Sequence, residues 1–370
     1  MKKILIAAHS LELGGIEKAL ITLIDYLKEK YDITLVLEKN EGFFKKSIPN
    51  SVNIIEYKAS SKKNVLLRKI DNFFRQINFK KNYKNKFDAA ICFATYSYPC
   101  SFVARNASKK SILWVHNDYL NFFNNNKEKY INFFKKLKID KYKKIVFVSK
   151  HDRNEFINIF NEYYKTKKND IKLKTLVCNN LIDFNYILDQ SKQRVNDFDF
   201  EKYKDVPIFI NIGRHDEKQK KLSRIINSSI RLKKENYKFI VLFVGDGENT
   251  KYYKELSKDE NNIFFLGAKQ NPYPYLKNSS CLLMSSDFEG YPVTILEALA
   301  LNKFIITTDV SDVNEDIKGK YGLVTKKTEQ GVYEGMKYFI KNYNNIKTEK
   351  FDTTSFNNNT KEKIDKIITT

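Results

Sequence analysis

Two glutamates stand eight residues apart in the segment Ser285-Ser286-Asp287-Phe288-Glu289-Gly290-Tyr291-Pro292-Val293-Thr294-Ile295-Leu296-Glu297-Ala298-Leu299-Ala300. The residue types predict a strand end, a loop, and a helix that begins near Val293. Glu289 falls in the loop and Glu297 about one turn into the helix. The two carboxylates can therefore serve different parts of one polyol ligand. Between them, the N–H groups of Gly290, Tyr291, Val293 and Thr294 can meet a phosphate, because the first N–H groups of a helix lack intrahelical partners and its dipole favours an anion. Pro292 has no N–H and stiffens the turn. The alternative is a helix whose acidic residues merely suit its dipole; the surrounding turn residues favour the anion site.

Three other segments carry similar chemistry. In Ile210-Asn211-Ile212-Gly213-Arg214, followed by Lys218, Lys220 and Lys221, a strand ends, a glycine turns and an arginine follows. Arg214 and Lys220 suit a diphosphate clamp that neutralises a leaving group, whereas Lys218 and Lys221 read as solvated. Phe243-Val244-Gly245-Asp246-Gly247 is a second strand end with a glycine turn. His9-Ser10-Leu11-Glu12-Leu13-Gly14-Gly15-Ile16-Glu17 joins a first strand to a first helix. Gly14 and Gly15 let the backbone approach a ligand ahead of a helix N-terminus. The spacing is neither GxGxxG nor GxxxxGK[ST], so a dinucleotide site is weakly supported and a P-loop is excluded.

The elements that must position these residues alternate. Ile4–Ala8, Ile33–Leu37, Ala89–Phe93, Ser111–Val115 and Ile145–Val148 are short apolar runs of the kind that form parallel strands buried on both faces. A helical pattern over 16–29 follows the first. A second series comprises Ile208–Ile212, Ile240–Val244, Ile263–Leu266, Cys281–Met284 and Phe304–Thr307. The polar stretch Gln190–Asp205 separates the two. The pattern predicts an α/β protein of two Rossmann-like, doubly wound domains facing an inter-domain cleft: 1–185, a linker over 186–206, 207–340, and a helical tail over 341–370 packing back on the first domain.

At 370 residues, with 42 % apolar and 14 % aromatic side chains, the chain suits two or three folded domains and excludes wholesale disorder. The four cysteines match no zinc or CxxC spacing, and a reducing compartment is expected. No apolar run reaches the ~18 residues that span a bilayer, and Ile4–Ala8 is too short for a secretory signal. The expected location is cytoplasmic, with peripheral attachment to the inner membrane face as an option. The net charge of +22 is uneven. Residues 1–182 hold 36 basic and 17 acidic side chains, and the remainder 30 and 27. The densest stretch, 58–86, has ten Lys or Arg against one acid, Asp71. Within it Leu66, Ile70, Phe73, Phe74 and Ile77 recur at helical spacing beside Arg68, Lys69 and Arg75. This basic amphipathic helix either lies on anionic lipid or packs on its own domain with a solvated outer face. No specific nucleic-acid signature is present: only 8 of the 66 basic residues are Arg, the usual base reader.

Taken together, these segments resemble family 4 (group 1) glycosyltransferases of the GT-B fold. The resemblance rests on Gly14-Gly15-x-Glu17, Val115-His116-Asn117-Asp118, Asn180-Leu181-Ile182-Asp183, Gly213-Arg214 with Lys220, Gly245-Asp246-Gly247, Leu266-Gly267 and, above all, Glu289-x7-Glu297. It covers nearly the whole chain. It implies a retaining, metal-independent transfer from a nucleotide sugar, with the donor on the C-terminal domain and the acceptor on the N-terminal one. It further implies that Arg214 and Lys220 stabilise the leaving diphosphate, Glu289 contacts the donor sugar and Glu297 holds the ribose. Backbone near Ala268 and Lys269 would meet the base, Gly14 and Gly15 would approach the diphosphate, and His116 would sit beside the reacting centre. No metal is needed where cationic side chains and a helix end do the electrostatic work, and no Asp-x-Asp stands at a strand end. The family often carries Gly and Pro where this chain has Asn302 and Phe304.

The implied function moves a sugar, from UDP-hexose or UDP-N-acetylhexosamine, to a lipid-linked or polymeric acceptor in capsule, exopolysaccharide, lipopolysaccharide or teichoic acid synthesis. The nucleotide sugar is a co-substrate, and no cofactor is expected. Alternatives are a GT-B nucleotide-sugar epimerase, which needs no acceptor, and a catalytically silent GT-B partner subunit.

Overall fold

The computed structural model describes residues 1–163 and 174–370. The chain divides into two compact units, Met1–Leu181 with Asn357–Thr370, and Ile182–Phe356. Among the described residues the first unit holds seven parallel strands: β1 (Lys2–Ala8), β2 (Tyr31–Leu37), β3 (Asn53–Glu56), β4 (Ala89–Cys92), β5 (Ser111–Val115), β6 (Lys144–Phe147) and β7 (Thr175–Val177). Their order is β3-β2-β1-β4-β5-β6-β7. The second holds six, also parallel: β8 (Ile208–Ile212), β9 (Ile240–Val244), β10 (Ile263–Gly267), β11 (Cys281–Leu283), β12 (Phe304–Thr308) and β13 (Gly322–Thr325), in the order β10-β9-β8-β11-β12-β13. In each sheet the chain runs outward, then returns to the other side of its first strand. The order thus reverses between β1 and β4 and again between β8 and β11. The crevice outside the carboxyl ends of such strands is where open α/β sheets bind ligands.

The inner strands are the apolar runs legible in the sequence, and residues such as Ile4, Ile91, Leu113, Val241 and Leu282 are fully buried. Burial on both faces leaves these strands mostly apolar along their length, with few polar residues such as Thr34 and Asn211. β3, β7 and β13 were not anticipated, and all three lie at sheet edges, where half-burial weakens the pattern. The four cysteines are buried free thiols; burial pushes Cys92 and Cys178 up to about 12. Among the described residues no helix is long and apolar enough to cross a membrane.

The segment 186–206, expected as a linker between two domains, packs with one of them. This segment belongs to the second unit. It follows the helix Phe184–Gln190, and its rings hold it down. Phe198 meets Phe264 of β10 at 5.3 Å between centroids, and Tyr203 stacks on Phe198. Asn271 donates to the Gln190 carbonyl at 2.9 Å. Polar composition concealed an edge cover built from few aromatic residues. The final helix, Thr353–Thr369, groups with the first unit from Asn357 onward. There the carboxylate of Asp365 accepts hydrogen bonds from Tyr26 and Lys30, both at 2.8 Å.

Two local features set up the second sheet's carboxyl edge. The loops after β8 and β9 interlock through backbone: Gly213 N donates to Val244 O at 3.0 Å, and His215 N to Asp246 O at 2.9 Å. They approach so closely that a Cβ on Gly245, where φ is +155°, would lie 1.8 Å from Gly213 O. Asn302 stands past the helix Val293–Ala300 at φ +52°, a left-handed conformation that asparagine tolerates. Lys303 N then donates to Ala298 O at 2.9 Å and closes the helix end. Asn302 thus takes the left-handed position that glycine most often fills past a helix end.

Gly245→Ala is expected to lower stability by about 2 kcal/mol or more, since it adds both a backbone clash and a disfavoured φ. A thermal unfolding midpoint unchanged from wild type would show that the two loops can part without cost.

Candidate functional site

The loops that follow β8 and β11 meet where the sheet order reverses. Lys220 Nζ donates to Glu289 Oε1 at 2.7 Å, and Ser286 Oγ donates to the same oxygen at 2.7 Å. Gln219 Nε2 reaches Glu289 Oε2 at 3.3 Å and Phe288 O at 3.1 Å. Gln219 Oε1 in turn accepts from Arg214 Nη2 at 3.2 Å, and Arg214 also pairs with Asp216 at 3.3 Å. Backbone bonds fix this array. Asp287 N donates to Gln219 O at 2.8 Å, and Ser285 Oγ donates to the carbonyls of Lys220 and Lys221, each at 2.9 Å. Arg224 closes the loop with a 2.6 Å contact to Asp287.

Arg214, Lys220 and Glu289 are therefore joined, with Gln219 as the link. Lys221 instead turns to Glu217 at 3.8 Å. Glu297 lies on the helix Val293–Ala300 and is buried, with Tyr273 donating to its Oε1 at 3.1 Å. Burial first, and the Glu297 charge second, hold the Tyr273 phenol well above its ordinary value. Pro292 occupies the cap position of this helix, which carries no side-chain cap among the described residues. The N-terminal turn at Val293 and Thr294 follows Gly290 and Tyr291, and its cap residue itself offers no acceptor side chain. Gly245 holds the neighbouring turn after β9. Ala268 is exposed beyond β10, and Lys269 is tied to Asp197 at 2.5 Å.

In the first unit, His116 follows β5 and is buried, its ring 4.2 Å from that of Phe93 and parallel to Trp114. Burial drives its pKa down to about 3 against the opposing pull of the Asn180 side chain. The imidazole is neutral at physiological pH. Gly14 and Gly15 open the helix Gly15–Leu27 without a side-chain cap, and the Glu17 carboxylate folds back over Gly14. Burial raises the Glu17 pKa.

Sequence reasoning missed several of these partners. Ser286 and Gln219 adjoin Glu289 and Lys220 in sequence, so proximity was a usable signal. Tyr273 lies in a different helix from Glu297 and gave none. Also missed was a cluster at the β1/β4 reversal, where Glu38 Oε2 meets His9 Nδ1 at 2.8 Å and accepts from Ser97 Oγ at 2.6 Å.

Asp118, His151 and Asp152 bring ligand atoms within 4.8 Å of one another, among the described residues. Asp118 is committed to capping, with Oδ1 accepting from Asn121 N at 2.9 Å. The Lys220–Glu289 array brings cations to the site itself.

Residues 192–357, a span lying almost wholly within the second unit, match the family model described as Glycosyl transferases group 1. The chain is 32 % identical over 237 residues to an uncharacterized glycosyltransferase of Methanocaldococcus jannaschii, a match covering 59 % of this chain and 56 % of that relative's length. It is 25 % identical over 353 residues to the N-acetylgalactosamine-N,N'-diacetylbacillosaminyl-diphospho-undecaprenol 4-alpha-N-acetylgalactosaminyltransferase of Campylobacter jejuni, covering 92 % of this chain and 90 % of that one. Among solved structures, HepE of Anabaena in complex with UDP and glucose superposes with a TM-score of 0.74 at 17 % identity, covering 99 % of this chain and 100 % of that one. The fold is GT-B, two Rossmann-like units with parallel sheets.

The depressed His116 pKa has a signed consequence. In the unfolded chain the imidazole takes a proton below about 6.5, while in the folded chain it stays neutral to about 3. Its contribution is fully present above 6.5 and is lost at up to about 1.4 kcal/mol per pH unit as pH falls through that window. Urea unfolding should show stability dropping from neutrality to about pH 5, with a shallower slope in His116→Gln. Identical slopes would show that the folded chain protonates this imidazole as readily as the unfolded one.

Proposed function

We propose that this chain is a retaining glycosyltransferase that moves a sugar from a nucleotide sugar, UDP-hexose or UDP-N-acetylhexosamine, to a lipid-linked or polymeric cell-surface glycan. The observation that carries the reading is the Lys220–Glu289 array, seated at a sheet reversal within the span that matches the group 1 family. The relatives' names support the class of acceptor: one of them acts on a diphospho-undecaprenol-linked sugar. A solved neighbour holds UDP and glucose, which supports the donor.

On this reading Arg214 and Lys220 stabilise the charge that develops on the departing diphosphate. The N–H groups of Gly290, Tyr291, Val293 and Thr294 add the field of a helix end. Glu289 orients the donor sugar through its hydroxyls. Its position is fixed by Lys220, Ser286 and Gln219, so it can accept from a sugar without first becoming ordered. Glu297 takes the ribose, and backbone at Ala268 and Lys269 takes the base beside the Gly245 turn. Gly14, Gly15 and the neutral imidazole of His116 are assigned to the same donor; an uncharged ring can hydrogen-bond a sugar without opposing the cations. These cations and the helix end supply the electrostatic work, so we propose a metal-independent reaction. We place it on the cytoplasmic side, as part of capsule, exopolysaccharide, lipopolysaccharide or teichoic acid synthesis.

UDP at a hundred times its Kd should stabilise the protein by about 2.7 kcal/mol, with or without Mg²⁺. Glu289→Gln should cut turnover of a UDP-sugar by roughly a hundredfold while UDP affinity changes by less than about threefold, because the lost contacts are to the sugar. A collapse of UDP affinity with turnover per bound donor intact would reverse the role given to Glu289. Epimerisation of the donor sugar with no acceptor requirement would favour the epimerase.

A further inference from the structure

The helix Val65–Tyr83 is held to its unit from one side. Of its side chains Phe79 is buried, in ring contact with Tyr57, Phe102 and Tyr83 at 5.2 to 5.8 Å. Asn72 Oδ1 accepts from Ser60 N at 2.7 Å, and Asn64 caps the start by accepting from Leu66 N and Leu67 N. The opposite stripe is bare. Leu66, Ile70, Phe73 and Ile77 follow the i, i+4, i+7, i+11 spacing that aligns side chains along one face, with Leu67 and Phe74 beside them. All six are exposed, Phe73 by 60 % and Phe74 by 62 %. The reading in which this helix buries its apolar face on its own domain is therefore wrong: the apolar face is the outer one.

We propose that this stripe seats the protein on an anionic lipid bilayer, with the helix lying in the plane of the headgroups. Three observations select that occupant. From Leu66 to Ile77 the apolar stripe runs ~17 Å along the helix, a contiguous exposed apolar face of the kind that marks an interaction site. Its flanks and ends carry Lys62, Lys63, Lys69, Lys80, Lys81 and Lys84, all exposed, in a stretch with one acid. That acid, Asp71, is already paired with Arg75 at 3.0 Å. Anionic lipid offers both a phase for the phenylalanines and a countercharge for the lysines. A nucleic acid offers only the second. A second copy meeting this face through a two-fold axis would oppose like charges. The inference stands on this surface alone and does not depend on the transferase reading.

The test is flotation of the full chain with vesicles of phosphatidylcholine alone and of phosphatidylcholine mixed with phosphatidylglycerol. At low salt the protein should float with the anionic vesicles, remain largely behind with the neutral ones, and be released as salt rises. Phe73→Ser with Phe74→Ser should reduce partitioning by about tenfold or more. Lys69→Gln with Lys81→Gln should cost roughly fivefold per residue on anionic vesicles only. These side chains are exposed, so unchanged thermal unfolding midpoints and unchanged circular dichroism in each variant will show that the fold is intact. Equal recovery with both vesicle types, absence from both, or flotation undiminished by the phenylalanine pair would overturn the proposal. So would a dimer in solution that the same pair disrupts, since that would make a second copy the occupant.

Discussion

The carboxyl edge of the second sheet hangs on the contact between Lys220 and Glu289. The two residues come from loops 69 positions apart in sequence, yet their strands, β8 and β11, are neighbours because the sheet reverses its order there. A lysine and a glutamate this far from bulk water must be paired, since either charge left alone would be costly. The pair therefore does more than join two side chains. It requires the β8 loop to stop at Lys220 and the β11 loop to turn at Glu289. Gln219, Ser285 and Arg224 then add bonds that cross between the loops, and Ser286 braces Glu289 from within its own loop.

That arrangement depends equally on residues with no side chain. The β8 loop can carry Arg214 outward only because Gly213 and Gly245 let two backbones touch. Gly247 repeats the device, since a Cβ there would lie 2.4 Å from His215 O. His215 fills the space beneath, its Nδ1 bonded to Thr250 Oγ1 at 2.9 Å, and burial lowers its pKa so that the ring stays neutral. The imidazole beneath the loops thus adds no positive charge to that of Arg214 and Lys220. Short polar loops suffice because the sheet behind them is buried and largely apolar.

Much of this was legible in the sequence, and what was not has physical causes. The inner strands announce themselves because burial on both faces demands uninterrupted apolar residues. β3, β7 and β13 do not, because an edge strand of three or four residues is only partly covered. The segment over 186–206 read as a linker because its polar residues outnumber Phe198, Phe200 and Tyr203, yet a few rings are enough to hold a chain on a sheet edge. Glu289 and Glu297 were conspicuous as a spaced pair, while Tyr273 was invisible, because its contact to Glu297 exists only once two helices pack. The helix at 65–83 shows the deepest limit. Periodicity reveals that one stripe is apolar but not which way the stripe faces. That direction is decided by Phe79, which lies off the stripe and docks on an aromatic cluster formed by distant Tyr57 and Phe102.

The two cations assigned to the leaving diphosphate are not equivalent, and their surroundings say how each would respond to a ligand. The Arg214 side chain is 65 % exposed, and its partners Asp216 and Gln219 hold it loosely. A pair of this kind contributes little in water, so exchanging Asp216 for a phosphate costs little, and a planar guanidinium can then grip two oxygens. The side chains of Lys220 and Glu289 are 19 % and 9 % exposed, and Glu289 is held from three sides. Drawing Lys220 away would leave a carboxylate nearly out of water. The economical arrangement keeps Lys220 where it is, touching Glu289 and an incoming phosphate at once, while Arg214 swings. On the proposed reading Lys220 would couple the two halves of the donor, since the leaving charge and the carboxylate assigned to the sugar would bear on one ammonium group. Were negative charge to draw Lys220 toward it, Ser286 and Gln219 would still bond Glu289.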